Sequence, residues 1–357
     1  MKVELKKRIS AFSRLGEHLK YIGNDTSTEV LDINNMYFKK LLNVVSDSYL
    51  HNGWFLEENV RHMLFSLGKS MDKVSLEKWV SEYQDGLDDD KQPKTVAVVM
   101  AGNVPAVGFH DWLSVLMSGN RVLAKLSSDD NKLIPAISEL LISIEPEFKS
   151  FISFTDGKLS GFDAVIATGS GNTSRYFDYY FGKYKNIIRR NRNGIAVLNG
   201  KETTEDFERL ADDVFMYFGL GCRNISKLFV PENYDFTPML DVFSKRTEIN
   251  LNHKYFNNYE YNKAIYLVNS RQHLDTGNIL LVEDNAYASP VSVLYHEQYS
   301  DLKSLNRKLK FDEDSIQCIV SGEFQINGKL PFGQSQQPKL LDYADGVDTM
   351  EFLIGID

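Results

Sequence analysis

Thr95-Val96-Ala97-Val98-Val99-Met100, running into Ala101-Gly102-Asn103-Val104-Pro105, is the stretch whose reading decides the fold. Six apolar or β-branched residues in a row, without polar alternation, predict a strand covered on both faces, as in a parallel sheet. Gly102 to Pro105 reads as a turn, with Pro105 suited to the first position of a helix and Gly119 to its end. Val107, Trp112, Val115 and Leu116 supply that helix with an apolar face. Arg121 to Leu126 reads as the next strand, and a helix through Ile144 follows, capped by Asp129 or Asp130. Asp163 to Thr168 and Gly194 to Leu198 read as a third and a fourth strand. Strands alternating with helices in this way imply a doubly wound, Rossmann-type parallel sheet.

Outward from this region the texture changes. Residues 1–80 read as helical, with Leu56, Val60, Met63, Leu64 and Leu67 at helical spacing, and their function is not legible. The acidic loop Asp85 to Asp90, with Pro93, marks a boundary. After Gly200, Phe207, Leu210, Ala211, Val214, Phe215 and Phe218 share one helical stripe behind a capping box of Thr203 and Asp206. Lys227–Val230, Ala264–Val268, Ile279–Val282, Ser292–Tyr295 and Ile316–Ser321 read as short strands. The organisation expected is a helical region (1–80), a cofactor-binding domain (81–198), a smaller α/β catalytic domain (199–340) and a tail (341–357), expected to add a strand to a neighbouring subunit.

The composition bounds the partners. The 357-residue chain is 43% hydrophobic and 25% charged, with a net charge of −9. No long basic block is present, which argues against nucleic acid as the main partner. No apolar run is long enough for a signal peptide or a membrane span, so a cytoplasmic protein is expected. Cys222 and Cys318 are the two cysteines, and in a reducing compartment each must be explained as a thiol. No metal site is expected.

Cys222 is the sharpest feature. It follows Gly219-Leu220-Gly221 and precedes a segment, Arg223 to Lys227, that could open a helix. A thiol at a helix N-terminus beside an arginine would be more acidic, hence more nucleophilic. The alternative is a buried structural cysteine. Cys318, inside an apolar run, reads as core. Asn103, at the carboxyl end of a buried strand, could donate to a developing oxyanion, or could merely fit its turn. Ala167-Thr168-Gly169-Ser170-Gly171 places small residues between a strand and a helix, where main-chain N–H groups could face a phosphate, although neither a Rossmann nor a Walker glycine pattern is matched.

Together and in this order, four motifs resemble the acyl-CoA reductase family of the LuxC type, a branch of the aldehyde dehydrogenase superfamily. Gly102-Asn103-Val104-Pro105 resembles the superfamily's Asn-x-Pro turn, which implies an oxyanion-hole role for Asn103. Gly119-Asn120 through Lys125 resembles the strand whose Lys reaches the adenosine ribose or its phosphate. Thr168-Gly169-Ser170 resembles the pyrophosphate turn, and Gly219-Leu220-Gly221-Cys222 resembles the nucleophile motif, with Leu220 where a Gln is usual. The ending Pro331 to Gln336, then Asp342-Tyr343-Ala344-Asp345, looks particular to this branch.

The resemblance implies an aldehyde dehydrogenase-like fold and a nicotinamide cofactor. It implies reduction of an acyl-CoA, of fatty acyl type, or another acyl thioester, through a covalent acyl-Cys222, in a homo-oligomer. Two rival readings are a CoA-acylating aldehyde dehydrogenase working oxidatively and a non-catalytic acyl- or nucleotide-binding module. One departure is informative. Where ordinary members carry Glu-Leu-Gly-Gly, with a glutamate that activates hydrolytic water, Ile188-Arg189-Arg190-Asn191 stands here. The basic run 189–192 could meet a ligand phosphate or lie in a solvated loop. NADPH is expected over NADH, because Ser128 occupies the place of the carboxylate that NAD-preferring members present to the ribose, with Lys125 nearby; Asp129 and Asp130 could pair with that Lys or serve the ribose and restore NADH use.

Overall fold

The expected strand forms as β1 (Thr95–Val99), at the centre of a five-stranded parallel sheet with β2 (Arg121–Lys125), β3 (Ile152–Phe154), β4 (Ala164–Thr168) and β5 (Lys185–Arg189), in the order β3-β2-β1-β4-β5. Val96, Ala97 and Val98 are buried, as a strand covered on both faces requires. The structure, a computed structural model, describes residues 3–23, 32–87, 92–169, 171–323 and 325–356. The chain divides into two compact units, one of Met1–Arg190 with Pro338–Asp357 and the other of Asn191–Gln337.

In the first unit the amino-terminal region is helical, as its spacing predicts: α1 (Leu5–Ile22), α2 (Met36–Ser46), α3 (Ser48–His51), α4 (Glu57–Ser70) and α5 (Lys73–Ser81). A Cβ on Gly68 would stand 2.6 Å from the Gly16 carbonyl oxygen, so glycine is what lets α4 pack this closely on α1. Three further helices, α6 (Phe109–Met117), α7 (Leu133–Ile144) and α8 (Gly171–Phe181), connect strands of the sheet. The helix expected from Pro105 therefore starts four residues later. Ala106 adopts a left-handed conformation (φ 51°), which no α-helix tolerates, and the helical path begins only after Gly108. Gly119 (φ 81°) ends the helix as expected.

The second unit is built on a seven-stranded sheet. Its strands are β6 (Asn193–Val197), β7 (Ile225–Pro231), β8 (Leu274–Asp275), β9 (Leu280–Glu283), β10 (Val293–Tyr299), β11 (Ile316–Ser321) and β12 (Lys329–Leu330), ordered β12-β11-β6-β7-β10-β9-β8. All pairings are parallel except β8 with β9. The strand read as the fourth of the first sheet is β6, and it pairs with β7 and β11 instead. The fifth position of the first sheet is taken by β5, whose charged ends hide a two-residue apolar centre.

Helices α9 (Thr204–Phe215), α10 (Thr237–Phe243), α11 (His253–Val268) and α12 (Leu302–Phe311) complete the second unit. The Thr203–Asp206 capping box forms on α9. Ala264–Val268, expected as a strand, is the last turn of α11. Asn252 caps that helix, and the buried tyrosines 255, 259 and 266 override the local β preference.

The chain then returns to the first unit, where Thr349–Ile354 forms α13, capped by the Asp348 side chain, in place of an extended tail. Met350 and Leu353 are buried there, so helical spacing serves the tail's apolar residues better than strand alternation. Tyr343 receives a hydrogen bond from Trp79 Nε1 (2.7 Å), and Tyr83 donates to Asp348 (2.6 Å). Arg189, 4% exposed, pairs with Asp111 and also donates to Ala344 O (2.7 Å) and Thr349 Oγ1 (2.9 Å). A buried guanidinium needs this full set of acceptors, because an unpaired buried charge costs several kcal/mol.

Candidate active site

In the first sheet the chain runs outward from β1 through β2 to β3, and from β4 to β5 on the other side. The order therefore reverses between β1 and β4, and in open parallel sheets ligands bind outside the carboxyl ends at such a point. Val99 is in register with Lys125 on one side and Ala167 on the other, so the ends of β1, β2 and β4 lie level. Asn103 is exposed on the loop after β1, Lys125 ends β2, and Gly169 follows β4 directly. These three expected residues are thus brought to one edge of one sheet. Ser170 lies outside the described residues. Lys125 Nζ donates to Gly157 O (3.0 Å).

Ser128 is exposed in the turn after β2, where Ser127 and Asp130 bridge. Asp130 does not cap α7 from the N-cap position, which is Lys132. It is buried, and its carboxylate accepts from the Ala106 N–H (2.7 Å) and from that of Leu133. Burial outweighs these bonds and pushes its carboxyl up to about 6.

Cys222 lies in the second unit, exposed, on the turn between α9 and β7. No helix begins there. The chain passes through Arg223 and Asn224 straight into β7, so a helix N-terminus does not act on the thiol. Three consecutive residues, Tyr217 (φ 51°), Phe218 (φ 59°) and Gly219 (φ 73°), are left-handed, and the two aromatic ones are buried. For non-glycine residues this conformation costs about 1 kcal/mol or more each and persists only where surroundings enforce it.

Asn224, 3% exposed, enforces it from the other end of the turn. Its Oδ1 accepts from Gly221 N–H (2.8 Å), and its Nδ2 donates to Met216 O (2.8 Å) and Asp213 O (3.1 Å). Gly194 on β6 admits the turn, since a Cβ there would stand 2.6 Å from Asn224 O and 2.7 Å from Arg223 O. Cys318, read as core, is buried with its Sγ 3.6 Å from Arg223 O.

The Arg223 side chain is also committed, donating through Nε to Ser335 O. Ser335 N and Gly333 N in turn donate to the Asp213 carboxylate (2.9 and 2.6 Å). Burial raises the Asp213 carboxyl above its ordinary value, against those bonds. The segment Pro331 to Gln336 is thereby tied to the cysteine turn. The basic run 189–192 is not one solvated loop: Arg189 is buried in the first unit, Arg190 is exposed near Asp178, and Arg192 pairs with Asp314 (3.3 Å).

The family profile for acyl-CoA reductase (LuxC) matches residues 35–239, more than half of the chain. The chain belongs to the acyl-CoA reductase family. It is an oxidoreductase of that class, and its fold is that of the aldehyde dehydrogenases. Aldehyde dehydrogenase 21 from Physcomitrella patens, solved with the product succinate, superposes with a TM-score of 0.69 at 13% identity, over 99% of this chain and 84% of that one. An oxidoreductase from Marinobacter aquaeolei gives 0.65 at 10% identity, over 95% and 80%. The indole-3-acetaldehyde dehydrogenase AldA of P. syringae, solved with NAD+ and IAA, gives 0.58 at 13%, over 90% and 73%. No curated protein sequence matches the chain.

In this acyl-CoA reductase, no helix among the described residues is long and apolar enough to cross a membrane. Among those residues, no cluster of three or more His, Cys, Asp or Glu is arranged to hold a metal ion. Sequence reading missed Asp213, Asn224 and Gly194 as supports of the cysteine turn. A signal existed for the first, since Asp213 interrupts the apolar stripe between Leu210 and Val214.

Proposed function

We propose that this acyl-CoA reductase converts an acyl-CoA, of fatty acyl class, to the free aldehyde through an acyl thioester on Cys222. The observation that carries the reading is an exposed thiol on a turn pinned by the buried Asn224 side chain, which binds the main chain of Gly221, Met216 and Asp213. Such a turn presents sulfur to a substrate at a fixed position, which is what nucleophilic catalysis needs. The Cys222 thiolate attacks the acyl carbonyl carbon, and the Asn103 side chain and Cys222 N–H donate to the oxyanion. The C–S bond to coenzyme A breaks, and coenzyme A leaves as its thiol after taking a proton. Collapse of the later Cys222 thiohemiacetal releases aldehyde and restores the thiolate.

A reduced nicotinamide cofactor, when bound, supplies the hydride to the acyl carbon. The residues fit that group. Lys125 and Gly169 stand at the carboxyl ends of β2 and β4 beside the order reversal, and α8 begins two residues after Gly169. Lys125 and Ser128, with Gly169 and Ser170, would hold it. The uncharged Ser128 favours NADPH over NADH, because no carboxylate at that place repels a 2′-phosphate. Ile188 to Asn191 contains no carboxylate to activate water, which favours transfer over hydrolysis of the thioester.

The test is to incubate the protein with acyl-CoA and measure intact mass before adding reduced cofactor. An acyl adduct that maps to Cys222 and disappears with nicotinamide oxidation is expected. An adduct on Cys318 alone, or turnover without any adduct in a Cys222→Ala variant, overturns the assignment.

A further inference from the structure

We propose that Asp130 is the positioning residue for Asn103, tying the loop after β1 to the turn after β2 in one rigid frame. The proposal rests on the reading of Asn103 as an oxyanion donor. Asp130 is 7% exposed, yet it sits at the end of a turn whose neighbours Ser128 and Asp129 face solvent. Its carboxylate is directed inward, to the Ala106 N–H at 2.7 Å and to the Leu133 N–H. A single side chain thus joins the Asn103 loop to the first residue of α7.

The loop needs such a tie. Ala106 holds a left-handed conformation (φ 51°), an unfavourable state for an alanine. Without an acceptor for its N–H the loop would relax toward the helix that Pro105 otherwise suits. Main-chain contact closes the other side of the frame. A Cβ on Gly102 would lie 2.6 Å from Ser127 Oγ and 3.0 Å from Asp129 Cβ, so the loop before Asn103 rests directly on the turn. Met100 N donates to Lys125 O (3.0 Å), carrying the β1–β2 ladder one step past the strands. Asn52 Nδ2 supports the turn from behind at Asp129 O (3.1 Å).

Asn103 therefore stands between two points, Gly102 and Ala106, that are both anchored on Ser127–Asp130. That turn also carries Ser128, whose own placement rests on the Ser127–Asp130 main-chain bridge and on Asn52 at Asp129 O rather than on the Asp130 carboxylate. A buried carboxylate is a costly way to satisfy two N–H groups. Burial raises its carboxyl above the ordinary value, so the charged form contributes less to stability than its hydrogen bonds alone would suggest.

The experiment is a double-mutant cycle on the full-length protein, measuring kcat with acyl-CoA at saturating NADPH, together with the NADPH dissociation constant. Asp130→Ala should lower kcat by about tenfold or more in the wild type, because small misplacements of a catalytic group are expensive in rate. In an Asn103→Ala background the same change should cost less than about threefold, since the group being positioned is gone. Asp130→Asn keeps one acceptor and should lose less than Asp130→Ala, while melting no lower than wild type at pH 7. That variant carries the cycle if Asp130→Ala does not fold. NADPH affinity should change by less than about threefold. Equal losses in both backgrounds, or wild-type kcat in the folded variants, overturns the proposal. Normal turnover by Asn103→Ala alone removes the oxyanion reading, and this proposal with it.

Discussion

Asn103 and Cys222 stand on loops of opposite construction. The loop of Asn103 leaves the carboxyl end of β1, where neighbouring strands end in register and set its starting point. One carboxylate, from Asp130, then suffices to hold Ala106. The turn of Cys222 enters β7 from its amino end, after three left-handed residues. It inherits nothing from strand ends and is held by a staple of its own, with Asn224 binding Gly221, Met216 and Asp213. The contrast teaches that a loop at a strand's carboxyl end takes its starting point from the sheet and needs only one side-chain tie, whereas a turn feeding a strand needs several. Disruption should therefore act locally on the first and more globally on the second.

The largest effect should come from the second loop. Cys222→Ala should abolish reduction while leaving NADPH binding, followed by nicotinamide fluorescence, within about twofold of wild type. Residual turnover above a tenth would show that the nucleophile lies elsewhere. Next, Asn103→Ala should lower turnover about a hundredfold, the scale for one oxyanion donor, with an unchanged melting curve because the sheet still places the loop. A lowered melting temperature would blur the contrast.

Asn224→Ala should do both. Removing a buried group with three partners should cost about 2–3 kcal/mol in denaturant unfolding, and alkylation of Cys222 should change rate as its turn relaxes. An unaltered alkylation rate would mean that the left-handed run holds the turn alone. Lys125→Ala should lower catalytic efficiency with NADPH by about tenfold, the value of one charge-assisted contact, and with NADH by less. Equal losses, or a wild-type preference for NADH, would remove the phosphate role of Lys125.

The smallest effect is on stability against pH. The Asp130 carboxyl titrates near 6 in the folded protein, above the usual 3.8. Between these values the folded state binds more protons than the unfolded chain, so this group's contribution to stability declines as pH rises from about 4 to 6. Asp130→Asn should remove that decline, read as the difference between the two unfolding profiles. Asp213 is raised in the same direction, so Asp213→Asn should flatten the profile likewise. A variant profile parallel to wild type across this range would contradict the assignment of a raised carboxyl.

Elements decided by neighbouring residues were readable in the chain. β1 and β4 are short apolar runs, β2 carries three apolar residues between charged ends, the Thr203–Asp206 box announces α9, and three of the motifs fall at the carboxyl ends of β1, β2 and β4. What misled was local evidence standing in for a distant partner. Gly194–Leu198 is a strand in either sheet, and only pairing with β11 and β7 shows which. Ala264–Val268 has the composition of a strand, but the buried tyrosines of α11 make it helix. Pro105 suits a helix start until a carboxylate 24 residues away captures Ala106.

The supports of the site were invisible for the same reason. Asp130 with Ala106, and Asp213 with Gly333 and Ser335, join residues far apart in the chain. Propensity and periodicity report the energy of a residue with its near neighbours. Whether a buried polar group is satisfied depends on partners that meet only once the chain has folded, and in this protein those partners hold the loops of Asn103 and Cys222.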